Sequence, residues 1–304
     1  MTLRELSETL AADGGEPRAG GTDVMARRGG GPYRDLRGFP ELRGVTWDAD
    51  GSARLGALTT IAEIAGDARL AAAYPALTLT AGALATPQIR AVGTLGGNLL
   101  QRNRCAYFRH PGFSCLQKGG DACPARQGRH LHGTVIGDSA CVAPHPSSMA
   151  MALLAYDGAV AEVSGRGEIP IAALYGDAPD RDHLLEPGEI LTAVRLPPPL
   201  AGERAAYHRA IGRLKAEWPL VEAVARVALD GDVIAYAAVA VGGVARTPLR
   251  LPEVERALTG RSTTAGPTEA ADLATERCAP LPETGYKVAL LRGTVLEVLE
   301  RAAG

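Results

Sequence analysis

Four of the chain's five cysteines, Cys105, Cys115, Cys123 and Cys141, fall within one stretch rich in Gly, Arg and His. That stretch shows neither the 3.6-residue period of a helix nor the two-residue alternation of a strand. A segment without a period cannot build its own core, so a shared ligand or a larger host must hold it. Nothing in the sequence suggests an oxidising compartment. "MTLRELSETLAADGG" at the start reads as a short amphipathic helix with Leu3, Leu6 and Leu10 on one side, not as a secretory signal. Disulfides are therefore not expected, and clustered thiols point to a metal site. The stretches between the cysteines are nine, seven and seventeen residues long, with none of the paired knuckles of structural zinc. Such wide spacing suits an iron–sulfur cluster better. His110, His130, His132 and His145 keep a mixed Cys/His zinc site open. Arg102, Arg104, Arg109, Arg126 and Arg129 either offset the charge of a thiolate-bound cluster or form a solvated face. Cys278 stands apart and is expected to be a buried structural thiol.

Around this segment the chain reads as two domains, as its 304 residues allow. "PPPLAGE" at 197–203 is the expected linker. Before it, short strands alternate with helical stretches. "IAEIAGDARLAAAYPALTLTAGAL" is read as one helix, with Thr60 and Glu63 forming a capping box at its start. "SSMAMALLAYDGAVAEV" is a helix running into a strand, and "GEIPIAALYGD" and "GEILTAVRLPPP" are strand-like. After the linker, "AAYHRAIGR" and "VIAYAAVAVGGVA" alternate as antiparallel strands, the apolar run "WPLVEAVARVAL" leads into a "DGD" hairpin turn, and two amphipathic helices follow. The fold class is α+β. A net charge of −2 gives no basic field for nucleic acid, and no apolar run is long enough to cross a bilayer.

Two glycine loops carry the chemistry. "AGGTDVMARR" starts at Ala19 and holds Gly20, Gly21, Thr22, Asp23 and Val24; "GTLGGNLL" holds Thr94, Gly97 and Asn98. Paired glycines let backbone N–H groups approach an anion that a Cβ would exclude. Neither loop is a Rossmann fingerprint or a P-loop, so a nucleotide here needs another fold.

Six segments, "AGGTDVMARR", "PELRGV", "LGALTTIAEI", "TPQIRAVGTLGGNLL", "PSSMAMALLAYDGAV" and "GEILTAVRLP", resemble, in order and spacing, the FAD-binding medium subunit of the molybdenum hydroxylases. This is the xanthine dehydrogenase, aldehyde oxidoreductase and CO dehydrogenase family. "AYHRAIGR", "AVGGVARTPLR" and "VERALTG" extend the resemblance to the C-terminal flavoprotein domain. The resemblance implies an FAD-binding domain of the vanillyl-alcohol oxidase type over 1–198, built from two α+β subdomains, and a C-terminal flavoprotein-like domain over 203–304. It implies that Ala19 to Val24 wrap the FAD pyrophosphate, and that Thr94, Gly97, Asn98 and Gln101 line the other side. Leu84 and Thr86 are expected near the flavin, and Arg209 and Trp218 over its ring system. The family's Asp beside the flavin is replaced by Ser148, and the family's first strand is missing, which predicts a smaller first sheet.

The cysteines lie in an insertion at 102–145. It resembles the subgroup with 4-hydroxybenzoyl-CoA reductase and periplasmic aldehyde oxidoreductases, whose flavin subunit carries an extra [4Fe–4S] cluster; Cys105, Cys115, Cys123 and Cys141 are the matching ligands. The implied partners are a molybdopterin-containing large subunit and a [2Fe–2S] small subunit in a heterotrimer. Ferredoxin, O2 or NAD is the external acceptor. The substrate would react on the large subunit, so no catalytic acid, base or nucleophile is expected here. Competing readings are a stand-alone flavin oxidase, an FAD subunit whose cysteine loop binds structural zinc, and a zinc-stapled scaffold without FAD. The expected compartment is the cytoplasm, or the periplasm after export with a partner.

Overall fold

A computed structural model describes residues 1–27, 31–214 and 216–304; Arg28, the last residue of the first glycine stretch, lies outside them. Helix α1 (Leu3–Asp13) starts with a capping box between Thr2 and Glu5 and buries Leu6 and Leu10. Strands β1 (Glu16–Arg18) and β2 (Tyr33–Asp35) pair in parallel as a two-stranded sheet, with the first glycine loop leaving β1. Strands β3 (Val45–Trp47) and β4 (Ala53–Gly56) follow.

The single helix expected after Thr60 is three: α2 (Ile61–Gly66), α3 (Ala68–Ala73) and α4 (Pro75–Ala83). Thr60 and Glu63 do form the capping box. Asp67 then stops α2 by accepting hydrogen bonds from the Arg69 and Leu70 amides, and so caps α3. Pro75, which cannot continue a helix but is well suited to start one, opens α4. Helices α5 (Pro87–Val92) and α6 (Leu95–Leu99) lead to the cysteine segment, where α7 (Ala106–Arg109) is followed by single 3-10 turns. Next come α8 (Ser148–Leu154), β5 (Val160–Val163), β6 (Gly167–Pro170), a 3-10 turn in place of the rest of the expected strand, and β7 (Leu191–Leu196). The chain ends with β8 (Arg204–Ala210), β9 (Val221–Asp230), β10 (Val233–Gly242), β11 (Leu249–Arg250), α9 (Pro252–Leu258), α10 (Gly266–Leu273) and α11 (Tyr286–Ala303).

Two antiparallel sheets dominate, a five-stranded one in the order β3-β4-β7-β5-β6 and a four-stranded one in the order β11-β10-β9-β8. Strand β9 is buried on both faces over Val221–Val227, so a simple apolar–polar alternation is not what its sequence shows. Its period of two divides it between two cores. Val221, Ala223, Ala225 and Val227 pack under Leu291, Val295 and Val298 of α11. Val224, with Ala238 and Ala240 of β10, joins the core of the first half. The same inward face carries Glu222 and Arg226, and Arg226 pairs with Glu203 at 2.6 Å in a buried ion pair. The C-terminal sheet is thus a wall shared by both halves. No helix among the described residues is long and apolar enough to cross a membrane.

Candidate functional site

The first glycine loop is shaped by contacts that exclude side chains. A Cβ on Gly20 would collide with the Val92 carbonyl at the end of α5, and Gly21 has a φ of +77°, where only glycine is unstrained. The second loop is the start of α6. Thr94 caps it by accepting from the Gly97 amide at 3.1 Å, and Gly96 sits against Ala57 with no room for a Cβ. Asn98 is fixed by its side-chain oxygen, which accepts from the Ser147 hydroxyl at 2.7 Å. Gln101 donates to the Asn98 carbonyl at 2.9 Å.

These loops border two adjoining cavities. Ala19, Gly20, Gly21 and Val24 line one of about 600 Å³. Leu84, Asn98, Ser148, Arg209 and Trp218 line one of about 100 Å³. Thr22, Asp23, Thr94, Gly97 and Gln101 border both. Thr86 borders neither; it caps α5, accepting from the Ile89 amide at 3.2 Å. Three buried side-chain nitrogens around the cavities have no hydrogen-bond partner among the described residues: His183 Nδ1 beside the larger, Arg104 Nε and Arg209 Nε beside the smaller. Arg27, beside the larger, is paired with Glu16 and with Asp23. The two unpaired guanidinium N–H groups are what an anionic ligand would satisfy. His183 stays neutral, its pKa lowered to about 4 by burial and then by Arg102.

Asp23 does more than border the cavities. Its carboxylate accepts from Arg104 at 2.5 Å, from Arg109 at 2.9 Å and from the Arg102 amide at 3.1 Å. Burial opposes its ionisation, but Arg104 and Arg109 hold its pKa below normal. Arg104 also lies over the Trp218 ring at 4.3 Å. Arg102, Arg104 and Arg109 are therefore committed to carboxylates, not to a solvated face. Arg126 binds the Ala140 and Ser139 carbonyls inside the insertion.

A second carboxylate, Asp182, organises the insertion. It is 5% exposed and accepts from Arg102 Nε (2.9 Å), the Asn103 amide (3.0 Å), Gln117 (2.9 Å) and Arg246 (3.0 Å). Three segments far apart in sequence meet on this one anion. The insertion is also stitched to the C-terminal half: the Val135 and Ile136 amides donate to Val244, and the Ala279 amide donates to Val135. Cys278 pairs with Ile136 in this seam and is half-buried instead of buried.

Three of the four clustered cysteines occupy the N-cap position of a single helical turn: Cys105 before α7, Cys115 before 116–118, Cys123 before 124–126. The Tyr107 and Phe108 amides reach Cys105, the Ala125 and Arg126 amides reach Cys123, and the Ala143 amide reaches Cys141. The four thiols are neighbours. Cys123 and Cys141 share a hydrogen bond, which, against burial, lowers the Cys123 pKa to about 5 and raises that of Cys141. Cys105 feels the charges of Cys123 and Cys115. Among the described residues no three His, Cys, Asp or Glu side chains close on a single ion. Of the histidines that kept zinc open, His130 binds Glu283 and the Ala125 and Gly128 carbonyls, and His145 is buried against Tyr175.

The FAD binding domain in molybdopterin dehydrogenase matches residues 2–199, and the CO dehydrogenase flavoprotein C-terminal domain matches 205–302. The aldehyde oxidoreductase FAD-binding subunit PaoB of Escherichia coli K12 is 34% identical over 260 residues, 83% of this chain and 79% of that protein. The chain belongs to the FAD-binding subunits of the molybdenum hydroxylases. The carbon monoxide dehydrogenase medium chain of Afipia carboxidovorans is 27% identical over 83% of this chain and 74% of its own length. CO dehydrogenase from Oligotropha carboxidovorans shares the fold, with a TM-score of 0.76 at 24% identity, covering 99% of this chain and 94% of that one. Quinoline 2-oxidoreductase from Pseudomonas putida 86 does so with a TM-score of 0.74 at 22% identity and the same coverage.

The surroundings of Ser148 are legible in the sequence only in half: β9 brings a carboxylate to its hydroxyl. Glu222 is 1% exposed, accepts from the Tyr207 hydroxyl at 2.6 Å and from Ser148, and fills the space that a Cβ on Gly242 would need. Burial raises its pKa. Nothing local in "WPLVEAVARV" marks Glu222 as a site residue; a charge in an otherwise apolar strand was the available signal. Asp182 and His183 lie in a loop whose composition resembles any polar loop, and only the folded chain reveals them.

Proposed function

We propose that this chain is the electron-transferring FAD subunit of a heterotrimeric molybdenum hydroxylase. A molybdopterin-containing large subunit would oxidise the substrate, and a [2Fe–2S] small subunit would pass electrons to this chain for delivery to an external acceptor. When bound, FAD supplies a carrier that exchanges one or two electrons. Residues 1–198 would form the FAD-binding domain and 203–304 the C-terminal flavoprotein domain, joined through the shared sheet. The convergence of both glycine loops on two adjoining cavities, the smaller rimmed by the unpaired Nε groups of Arg104 and Arg209, carries the flavin assignment. In this reading Gly20 and Gly21 let backbone approach the pyrophosphate, and Leu84, Ser148, Arg209 and Trp218 enclose the ring end.

We further propose that Cys105, Cys115, Cys123 and Cys141 hold a [4Fe–4S] cluster. Support comes from four neighbouring thiols, three of them at N-caps, with amides directed at the sulfurs of Cys105 and Cys123. Anaerobic purification with iron, sulfide and flavin assays, plus low-temperature EPR of the reduced protein, tests both assignments. About four irons and one FAD per chain are expected. One FAD with zinc or no metal would remove the cluster and leave the flavin standing.

A further inference from the structure

A third cavity, of about 810 Å³, is not one the glycine loops border. It lies between the cysteine insertion and the C-terminal half, and its wall is largely apolar and aromatic, with Tyr107, Phe113, Leu131, Val142 and Leu220. Arg104, Pro146, Glu217, Trp218 and Pro219 are common to this wall and to that of the small cavity assigned above to the flavin ring. Cys105 borders it on the insertion side.

Two buried polar atoms of this wall are unsatisfied, Arg104 Nε and His145 Nε2. His145 is 4% exposed, and its Nε2 is buried without a partner. Its Nδ1 accepts from the Ser147 amide at 3.3 Å, which leaves the ring proton on Nε2. The imidazole is therefore a buried donor waiting for an acceptor. The cations near the cavity are already used or peripheral. Arg104 is held by Asp23, Lys287 donates to the His132 and Gly243 carbonyls, and Arg129 is exposed. Arg104 is shared with the small cavity, and the apolar and aromatic wall offers no cluster of cations for a pyrophosphate.

We propose that this cavity binds a small quinone as the electron acceptor, its ring against the aromatic wall and one carbonyl accepting from His145 Nε2. The proposal rests on the flavin reading above. The quinone takes two electrons from the reduced subunit and two protons from solvent, and leaves as the quinol. The insertion forms one side of the cavity, so the segment that brings the cysteines also builds the acceptor site.

The test uses the full chain, purified anaerobically and assayed for FAD, with 1,4-naphthoquinone as probe. Calorimetric titration of the oxidised protein should show saturable binding at one site. His145→Phe keeps the ring's shape and removes the donor; it should weaken binding at least tenfold. Leu131→Trp, at a half-exposed position, should fill the cavity and abolish binding. Both variants should keep wild-type FAD content and melting. After photoreduction, naphthoquinone should reoxidise the wild-type flavin with one quinone consumed per two electrons, and the variants more slowly. Absence of saturable binding in FAD-loaded protein, or wild-type affinity in both variants, overturns this inference alone. A purified chain that holds no FAD overturns the reading beneath it, and the flavin assay reports that outcome separately.

Discussion

At the scale of single residues, the site is held by carboxylates whose burial is balanced by several donors each. Asp182 is the extreme case: four donors from three separate segments surround one buried anion. Removing one partner of such a group leaves uncompensated charge, here Arg246 and Arg102, at a cost of about 3–5 kcal/mol. Asp182→Asn should lower stability by that order in chemical denaturation and loosen the insertion. A loss under about 1 kcal/mol would mean that solvent already screens the network. Asp23 has a lowered pKa, so its stabilising contacts are complete above the unfolded value near 4 and vanish as pH falls through the lower folded value. FAD release should therefore steepen below about pH 4, and Asp23→Asn should flatten that acid limb in a fluorescence titration. Glu222 works the other way. Its raised pKa means that the fold favours the protonated acid, so its charge costs stability as pH rises past the unfolded value. At pH 8, Glu222→Gln should melt no lower than wild type and should make the bound flavin easier to reduce. An unchanged midpoint potential would show that this carboxylate does not act on the cofactor.

At the scale of elements, legibility followed locality. The capping boxes at Thr2 and Thr60, the helix-to-strand passage after Ser147 and the long C-terminal helix depend on neighbours in sequence, and they form as the sequence suggests. The stretch after Thr60 was harder because Asp67 and Pro75 are each compatible with a helix start, and each begins a new one. The glycine loops were legible because their constraint is steric. Gly20→Ala should abolish FAD retention, since its Cβ meets backbone that cannot move aside. Gly21→Ala, with space but a φ of +77°, should cost only about 1–2 kcal/mol and keep FAD. Equal loss of FAD in both variants, measured by flavin content after gel filtration, would place the constraint elsewhere. Thr86 has a local role as well: its hydroxyl caps α5, and the residue borders neither cavity.

At the scale of the whole molecule, the Pro-rich joint at 197–203 suggests two independent bodies, and the packing ties them together. Val224, Ala238 and Ala240 belong to the core of the first half, and Val135 and Ile136 of the insertion belong to that of the second. A protease site engineered at 200–202 should yield two fragments that co-elute under native conditions and separate only in denaturant. Calorimetry of the intact chain should show one transition. Two resolved transitions would mean that the shared sheet contributes little. This coupling, the position of Asp182 and the role of Glu222 could not be read in advance, because each depends on pairs far apart in the chain.

The seam between the insertion and the C-terminal half also sets an order of synthesis. Residues 102–145 leave the ribosome well before Asp182, Val244, Arg246, Ala279 and Glu283, the groups that pair with them. During that interval four thiols stand in a segment that still lacks its later partners. The loop can take its final shape only when nearly the whole chain has emerged, so whatever fills it must be installed in a completed polypeptide and not in a nascent one.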